Sequence, residues 1–453
     1  MNKSKLFWIK KGIWLVALAI FFYATYNATN IITIYRAQSS VIAHIIFDWE
    51  TYIPLIPWTI LPYWTENLLY GLAILSTRNT LQLRTLGMRL FAIQIICIIG
   101  FLLFPLQQVN ALLRPEVPGL FGWWFDELMK FDHPYNQAPS LHVSLVVILW
   151  VYYCERVPKK WHPLIHLWAL LIIISVLTTW QHHFIDIPTG IFAGSLAIWC
   201  IPKDHTSPLI FWREKSPHNW KWMGVYLFAA SLFLLIVIAA PSFLLWSLYP
   251  AASLILTALN YGLFGKKGFP KQPQGTYQAT DWILFLPYIL IAKFNAYLWT
   301  RNDPIADHVI DRLYIGKLPT STKHLKDFSH LIDCAAEIPF LLKSKQYTPN
   351  FLLDMTPLSV NECQQSSQKI AQAITESSGN IFVSCALGYS RSATSIAAYL
   401  ISHENHSVES AVNTLKSART RVVINASQLI ILQQFKDQLL QPTISAQDAL
   451  VDE

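Results

Sequence analysis

The chain has 453 residues, 53% of them hydrophobic and 13% charged, with a formal net charge of +7. Soluble proteins carry about a quarter of their residues charged, so this composition excludes an ordinary soluble enzyme and points to a membrane. The positive charge lies between apolar runs, where it sets topology and meets anionic lipid, and no nucleic-acid partner is expected.

Lys3, Lys5, Lys10 and Lys11 precede the first apolar run without a small-residue cleavage site, which reads as a first span and not a signal peptide. Apolar runs suited to crossing a bilayer follow near Trp14–Tyr35, Tyr52–Ser76, Leu90–Val109, Leu141–Tyr153, Leu164–Trp180, Phe184–Ile201, Met223–Ala240 and Phe243–Phe264. The fourth needs its ends extended to reach the usual length. The basic loops are the N-terminus, Arg78–Arg89, Arg156–Lys160, Lys203–Lys221 and Lys266–Lys271. If every run spans, all of them fall on one side, which the positive-inside rule makes cytoplasmic. The loops around Arg114–Ser140 and Gln181–His183 then face outward.

Pro139-Ser140-Leu141-His142 opens the fourth span, and His182-His183-Phe184-Ile185-Asp186 opens the sixth. Both openings lie on the outer face, so His142 and His182 can meet at one membrane surface. His182 and Asp186 share a helical face at i,i+4, where the carboxylate orients the imidazole. Any one of these histidines alone reads as an interfacial residue; the set in motif order reads as a site.

These residues, from about Arg89 to Pro202, resemble the type 2 phosphatidic acid phosphatase superfamily. The resemblance implies a six-helix core in which His182 takes the phosphoryl group, Asp186 holds it and His142 protonates the leaving alcohol. Arg114, with Pro115, would clamp the phosphate, and Ser140 would help bind it. Tyr135–His142 and the paired His182-His183 are most similar to the inositol phosphorylceramide synthase and sphingomyelin synthase branch, which passes a phospho-headgroup to a lipid alcohol.

A ninth apolar stretch, Asp281–Trp299, is interrupted by Pro287, Lys293 and Asn295. If it spans, the remainder lies outside; if it rests in the interface, the remainder is cytoplasmic. Trp282, Tyr288, Tyr297 and Trp299 suit the interface, and a catalytic thiolate suits a reducing compartment.

After it, charge density rises and short strands alternate with amphipathic helices, which implies an α/β sheet. Strands are expected at Leu313–Ile315, His330–Cys334, Phe351–Met355 and Ile381–Cys385. Helices are expected at Glu362–Glu376, Ser392–His403, Val408–Ser417 and Ser427–Leu439. The stretch Phe382–Ser392 runs from a strand into Cys385, a loop containing Gly388, Tyr389 and Ser390, and then Arg391-Ser392 at a helix start. A helix N-terminus favours anions and lowers a thiol pKa, and the planar fork of arginine matches phosphate oxygens. Asp354 stands about thirty residues earlier, as a candidate acid for the leaving group; Asp333 and Asp311 are its rivals. The other cysteines, Cys97, Cys154, Cys200, Cys334 and Cys363, form neither metal spacings nor a disulfide framework.

Cys-x5-Arg-Ser resembles the signature loop of cysteine-dependent phosphatases of the dual-specificity branch, with Ser384 where the family carries His. Leu313–Pro319, Leu353-Asp354-Met355-Thr356 and Arg391–Ile401 resemble the mitochondrial phosphatidylglycerophosphate phosphatases, over roughly Asp307 to Gln438. The resemblance implies that Cys385 attacks phosphorus, Arg391 and loop N–H groups stabilise the transition state, and Ser392 helps the thiolate leave. Ala386, Leu387 and Tyr389 stand where lipid-directed relatives often carry Lys or Arg, which favours a monophosphorylated lipid.

The expected architecture is therefore a multi-pass all-α membrane domain followed by an α/β cysteine-phosphatase domain. The membrane domain is a six-helix phosphatidic acid phosphatase-like core with extra helices. Its parts are N-terminal transmembrane helices (1–84), the core (85–205), additional transmembrane and interfacial helices (206–300), the dual-specificity domain (301–440) and a disordered tail (441–453). The expected function is a bifunctional lipid-phosphate phosphatase and phosphotransferase of a bacterial-type inner membrane, with the histidine site outside and the cysteine domain cytoplasmic. Its partners would be a phospholipid substrate and the bilayer, with no metal and no cofactor. The rival reading is a protein phosphatase anchored by an inert membrane block.

Overall fold

The computed structural model describes residues 3–130, 132, 134–203, 207–209, 219–239 and 243–440; the tail over 441–453 lies outside them. The chain forms two units, Met1–Ile210 and Phe211–Glu453.

The first unit is helical: α1 (Lys3–Ser39), α2 (Ile60–Ser76), α3 (Thr80–Leu103), α4 (Gly119–Met129), α5 (Leu141–Cys154), α6 (His162–Thr178) and α7 (Asp186–Cys200). Helix α5 is its axis. Leu141, Leu145 and Ile148 pack into a core with α1, α3 and α7, while Val143 and Val146 join Tyr63, Phe125 and Ile172 in a second core. A helix buried on several sides is apolar all round, which is why α5 reads from sequence as a continuous apolar run. Gly190 and Gly194 let α7 approach α5 closely: a Cβ at Gly194 would stand 2.7 Å from the Ser144 carbonyl oxygen. This is the small-xxx-small contact of membrane helices. It fixes the start of α5 beside the start of α7.

Six helical stretches among the described residues are long and apolar enough to cross a membrane: Lys3–Ser39, Thr80–Leu103, Lys159–Thr178, Trp220–Val237, Leu245–Gly268 and Ala279–Thr300. The runs expected as spans two, four and six fold as shorter helices, with α2 of 17 residues, α5 of 14 and α7 of 15. Turns on either side take up the remaining apolar residues, and protein instead of lipid covers much of α5. The outer loop expected between Arg114 and Ser140 contains a helix of its own, α4.

The second unit starts with α8 (Trp220–Ala239), α9 (Leu248–Leu259) and α10 (Ala279–Thr300). It continues into five strands, β1 (Ala306–Ile310), β2 (Leu313–Lys317), β3 (Phe328–Ala335), β4 (Gln346–Leu352) and β5 (Asn380–Cys385), and four helices, α11 (Val360–Glu376), α12 (Arg391–His403), α13 (Val408–Ala418) and α14 (Ala426–Leu440). The strands lie in the order β1-β2-β5-β3-β4, with β1 antiparallel to β2 and the others parallel. One side of the sheet packs its main core against the helices. Phe382, Leu331 and Phe340 form a smaller core on the other.

Two expectations about strands change. The strand placed at Phe351–Met355 runs instead from Gln346 to Leu352, because Met355 takes a positive φ of 56° and ends the extended run. It carries Pro349, which an edge strand tolerates. Strand β1, not anticipated, pairs with β2 through a turn at Asp311 (φ 42°).

The linker between α9 and α10 is fastened to β3. The Lys271 ammonium, with no exposure, donates to Asp333 and to the Ala335 carbonyl at 2.6 Å each. Asp333 also accepts from Tyr347 and from its own strand at the Ala335 N–H. Breaking such a buried pair costs about 3–5 kcal/mol. Lys271→Ala is therefore expected to lower the unfolding midpoint sharply, whereas exposed Lys267→Ala is not. Gly194→Leu, which forces α7 away from α5, is expected to cost about 1–3 kcal/mol, read by thermal unfolding in detergent. Unchanged midpoints would contradict both placements.

Candidate functional site

Along β5 the side chains alternate, so that Ile381, Val383 and Cys385 enter the helix-side core while Phe382 enters the opposite one. Cys385 thus ends the central strand, directly before the N-terminus of α12. The chain turns between them at Gly388, whose φ is 74° and where a Cβ would stand 2.3 Å from the Gly316 carbonyl carbon of β2. Only glycine fits there. The Gly388 N–H donates to Cys385 Sγ at 3.2 Å, and Ser392 Oγ lies 3.3 Å from the same sulfur. These contacts set the sulfur at the N-terminal end of α12, where an anion is favoured.

Arg391 is the first residue of α12 and is buried. Its guanidinium grips Glu337 with two hydrogen bonds of 2.7 and 2.8 Å, donates to the Leu352 carbonyl at 3.0 Å, and stands 3.1 Å from Asp354. The fork is thus aimed before any phosphate arrives. Burial raises the Asp354 pKa, Arg391 opposes the rise and Glu337 adds to it, for a net upward shift. A carboxyl that keeps its proton to higher pH suits a general acid. Cys385, Ser392, Arg391 and Asp354 gather at the C-terminal edge of the sheet.

The rival acids fall away. Asp333 is consumed by Lys271 and Tyr347, and Asp311 sits in the β1–β2 turn at the opposite edge. The Tyr389 hydroxyl donates to the Trp299 carbonyl at 3.1 Å, and Ser390 Oγ accepts from Gln428 at 2.8 Å. Both side chains tie the loop down. Ser384 is buried, and its Oγ has no hydrogen-bond partner among the described residues.

In the first unit, Ser140 caps α5, accepting from the Val143 N–H at 3.2 Å, and its Oγ lies 3.3 Å from His182 Nε2. His182 Nδ1 is 3.1 Å from Asp186 Oδ2, which also accepts from the His183 N–H at 3.1 Å. Asp186 therefore holds Nδ1, leaving Nε2 to face Ser140. His142 stacks on Tyr63 with ring centroids 4.0 Å apart. Arg114 donates to the Thr179 carbonyl at 3.1 Å and lies over Phe125.

Three carboxylates escaped the sequence reading. Glu337 orients Arg391, Glu66 lies 3.5 Å from His142, and Glu50 lies 3.2 Å from His183. Glu66 did carry a signal, as the one charged residue in the run Tyr52–Ser76, where ionisable groups default to function. Glu337 follows a strand buried from His330 onward, at the same edge as Cys385, which was a weaker sign.

Residues 313–438 match the family described as dual specificity phosphatase, catalytic domain. Phosphatidylglycerophosphatase and protein-tyrosine phosphatase 1 of Homo sapiens is 33% identical over 173 residues, covering 35% of this chain and 86% of that protein. The protein of the same name from Rattus norvegicus is 42% identical over 59 residues, covering 13% of this chain; the chain spans only 31% of its length. A crystal structure of PTPMT1 is 23% identical, covering 30% of this chain and 95% of that one with a TM-score of 0.25.

Two predictions follow from the geometry. Asp354→Asn is expected to lower kcat by about 100-fold or more for an alkyl phosphate, and much less for an aryl phosphate whose leaving group needs no proton. Because the Asp354 pKa is raised, wild-type kcat holds at acidic pH and falls as pH climbs through that pKa; the variant loses this fall. A retained alkaline limb would move the acid elsewhere. Glu337→Gln keeps the size of the side chain but removes the carboxylate charge that holds the Arg391 guanidinium, and it is expected to raise KM for phosphate esters. An unchanged KM would show that Arg391 is aimed by other means.

Proposed function

The chain belongs to the dual-specificity phosphatase family through its C-terminal domain, and from that premise we propose that it is a membrane-bound phosphatase of phospholipid phosphomonoesters. The observation that carries the reading is the assembled site: Cys385 held by the Gly388 N–H and Ser392, with Arg391 and Asp354 converging on the same edge. The Cys385 thiolate attacks phosphorus as the P–O bond to the alcohol breaks. Asp354 gives its proton to the departing oxygen, and Arg391 with the loop N–H groups carries the charge of the transferring phosphoryl group. Water, deprotonated by the Asp354 carboxylate, then attacks the phosphocysteine. Inorganic phosphate leaves, and Ser392 stabilises the returning thiolate.

The lipid part of the proposal draws on the phosphatidylglycerophosphatase named among the relatives, on the apolar helices of both units, and on the uncharged loop residues Ala386, Leu387 and Tyr389. These favour a phosphatidyl-alcohol phosphate over a polyphosphorylated headgroup. The domain is assigned to the cytoplasmic side.

The histidine cluster supports a second activity of the type 2 phosphatidic acid phosphatase kind. With Nδ1 held by Asp186, His182 presents Nε2 as nucleophile toward phosphorus. His142 protonates the leaving alcohol, and Arg114 and Ser140 bind the phosphate. Transfer to a second lipid alcohol in place of water follows the inositol phosphorylceramide synthase resemblance.

Lipid mass spectrometry on cells carrying wild-type protein, Cys385→Ser or His182→Ala tests both. A phosphomonoester lipid accumulating only with Cys385→Ser is the expected result, together with a different lipid change in His182→Ala. If neither variant alters a lipid while phosphopeptides are hydrolysed by wild type and not by Cys385→Ser, the protein-phosphatase reading replaces this one.

A further inference from the structure

The helix α10 is long and apolar enough to span a bilayer, yet both of its ends are held by the same α/β domain. Before its first turn, Tyr277 donates to the Glu337 carbonyl at 3.1 Å and the Phe340 N–H donates to the Gly275 carbonyl at 2.7 Å. At its last turn, the Trp299 carbonyl accepts from Arg421 at 2.7 Å and from Tyr389 at 3.1 Å, and the Thr300 carbonyl accepts from Lys317. Lys317 ends β2 and Glu337 follows β3, the two neighbours of β5. The helix therefore lies across the catalytic edge of the sheet. At 1.5 Å per residue it is about 33 Å long, enough to separate its ends by a whole hydrocarbon core of about 30 Å. A hydrated domain cannot grip both ends of a helix that crosses that core.

The second half of α10 exposes Leu290, Ile291, Phe294, Tyr297 and Leu298, which helical spacing places on one face, while Lys293 is half-buried and reaches over Trp282. Exposed Arg301 stands at the end of this stripe, beside Arg421, which is half-exposed and pairs with Asp303 at 3.4 Å. An apolar stripe bordered by cations is the pattern of a helix lying in an anionic interface.

The neighbouring hairpin agrees. Helix α8 starts where Asn219 donates its side-chain N–H to the Met355 carbonyl at 2.8 Å and its backbone N–H to Tyr261 at 3.0 Å. Tyr226 of α8 stacks on Tyr261 past the end of α9, with centroids 5.2 Å apart. The base of the hairpin thus stands beside Asp354, and both of its ends lie on the catalytic side with Lys221, Lys266 and Lys267. That charge marks the cytoplasmic face.

We propose that α10 lies flat in the membrane surface with this stripe toward the acyl chains, so that the Cys385 loop, tied to Trp299 through Tyr389, opens at the lipid headgroup layer of the same face. The partner is a bilayer containing anionic lipid. This placement rests on how α10 is fastened and holds whichever phosphate ester is the substrate.

Single cysteines test it in sealed vesicles of both orientations, using full-length protein carrying Cys154→Ser, Cys200→Ser and Cys385→Ser. Gln278→Cys and Asn302→Cys sit at the exposed ends of α10, and Phe294→Cys sits on the stripe. With a membrane-impermeant maleimide, positions 278 and 302 are expected to label from the same side, and position 294 several-fold more slowly than either. Cys97, Cys334 and Cys363 are buried and stay unlabelled in folded protein, which separates a topology result from misfolding. Labelling of 278 and 302 from opposite sides would mean that α10 spans, overturning the proposal. Labelling of 294 as fast as its neighbours would overturn it as well, because no membrane would then cover the stripe.

Discussion

An ammonium group with no access to water must be answered by an anion, and the pairing of Lys271 with Asp333 is the constraint on which the second unit depends. The lysine belongs to the linker between two apolar helices and the aspartate to a sheet strand. Their union fixes where α10 starts. It also fixes the end of β3, because the same lysine takes the Ala335 carbonyl. Glu337 follows that end and can then meet Arg391 from the far side of β5. Placement of Arg391 is thus traced back to a pair outside the site.

Around Arg391 two carboxylates share one guanidinium, and they are not equivalent. Glu337 is buried and takes both arms of the fork, which fixes its geometry. Asp354 touches one arm from a position a third exposed, where it can exchange a proton with substrate and water. In the proposed mechanism one acid serves orientation and the other chemistry. The difference follows from burial and hydrogen bonding, since the side chains are chemically alike.

The Cys385 loop was legible in the sequence because its chemistry is contiguous: strand, nucleophile, glycine turn and arginine follow one another without long-range help. Asp354 was legible by its distance from Cys385, although its strand was misplaced, since a positive φ at Met355 leaves no mark on the apolar pattern. The carboxylates were harder. Glu337 meets Arg391 across 54 residues, and Glu50 meets His183 across 133, separations at which periodicity carries no information. For α10, composition is nearly the same whether a helix crosses a bilayer or rests on it. What distinguishes the two is the grip on its ends, which involves residues on β2, in the loop after β3 and near α14.

The strand order has a consequence for how the enzyme comes into being. The nucleophile ends β5, which pairs with both β2 and β3 yet is the last strand to leave the ribosome. Until it arrives, β2 is paired with β1 alone and β3 with β4 alone, each leaving one edge open, and no loop exists to hold phosphate. By then α8, α9 and α10 have long since been synthesised, and the linker bearing Lys271 already has Asp333 of β3 to pair with. Insertion of the central strand therefore completes the sheet and creates the thiolate site in a single event. A chain stopped short of residue 385 has neither the completed sheet nor the cysteine loop.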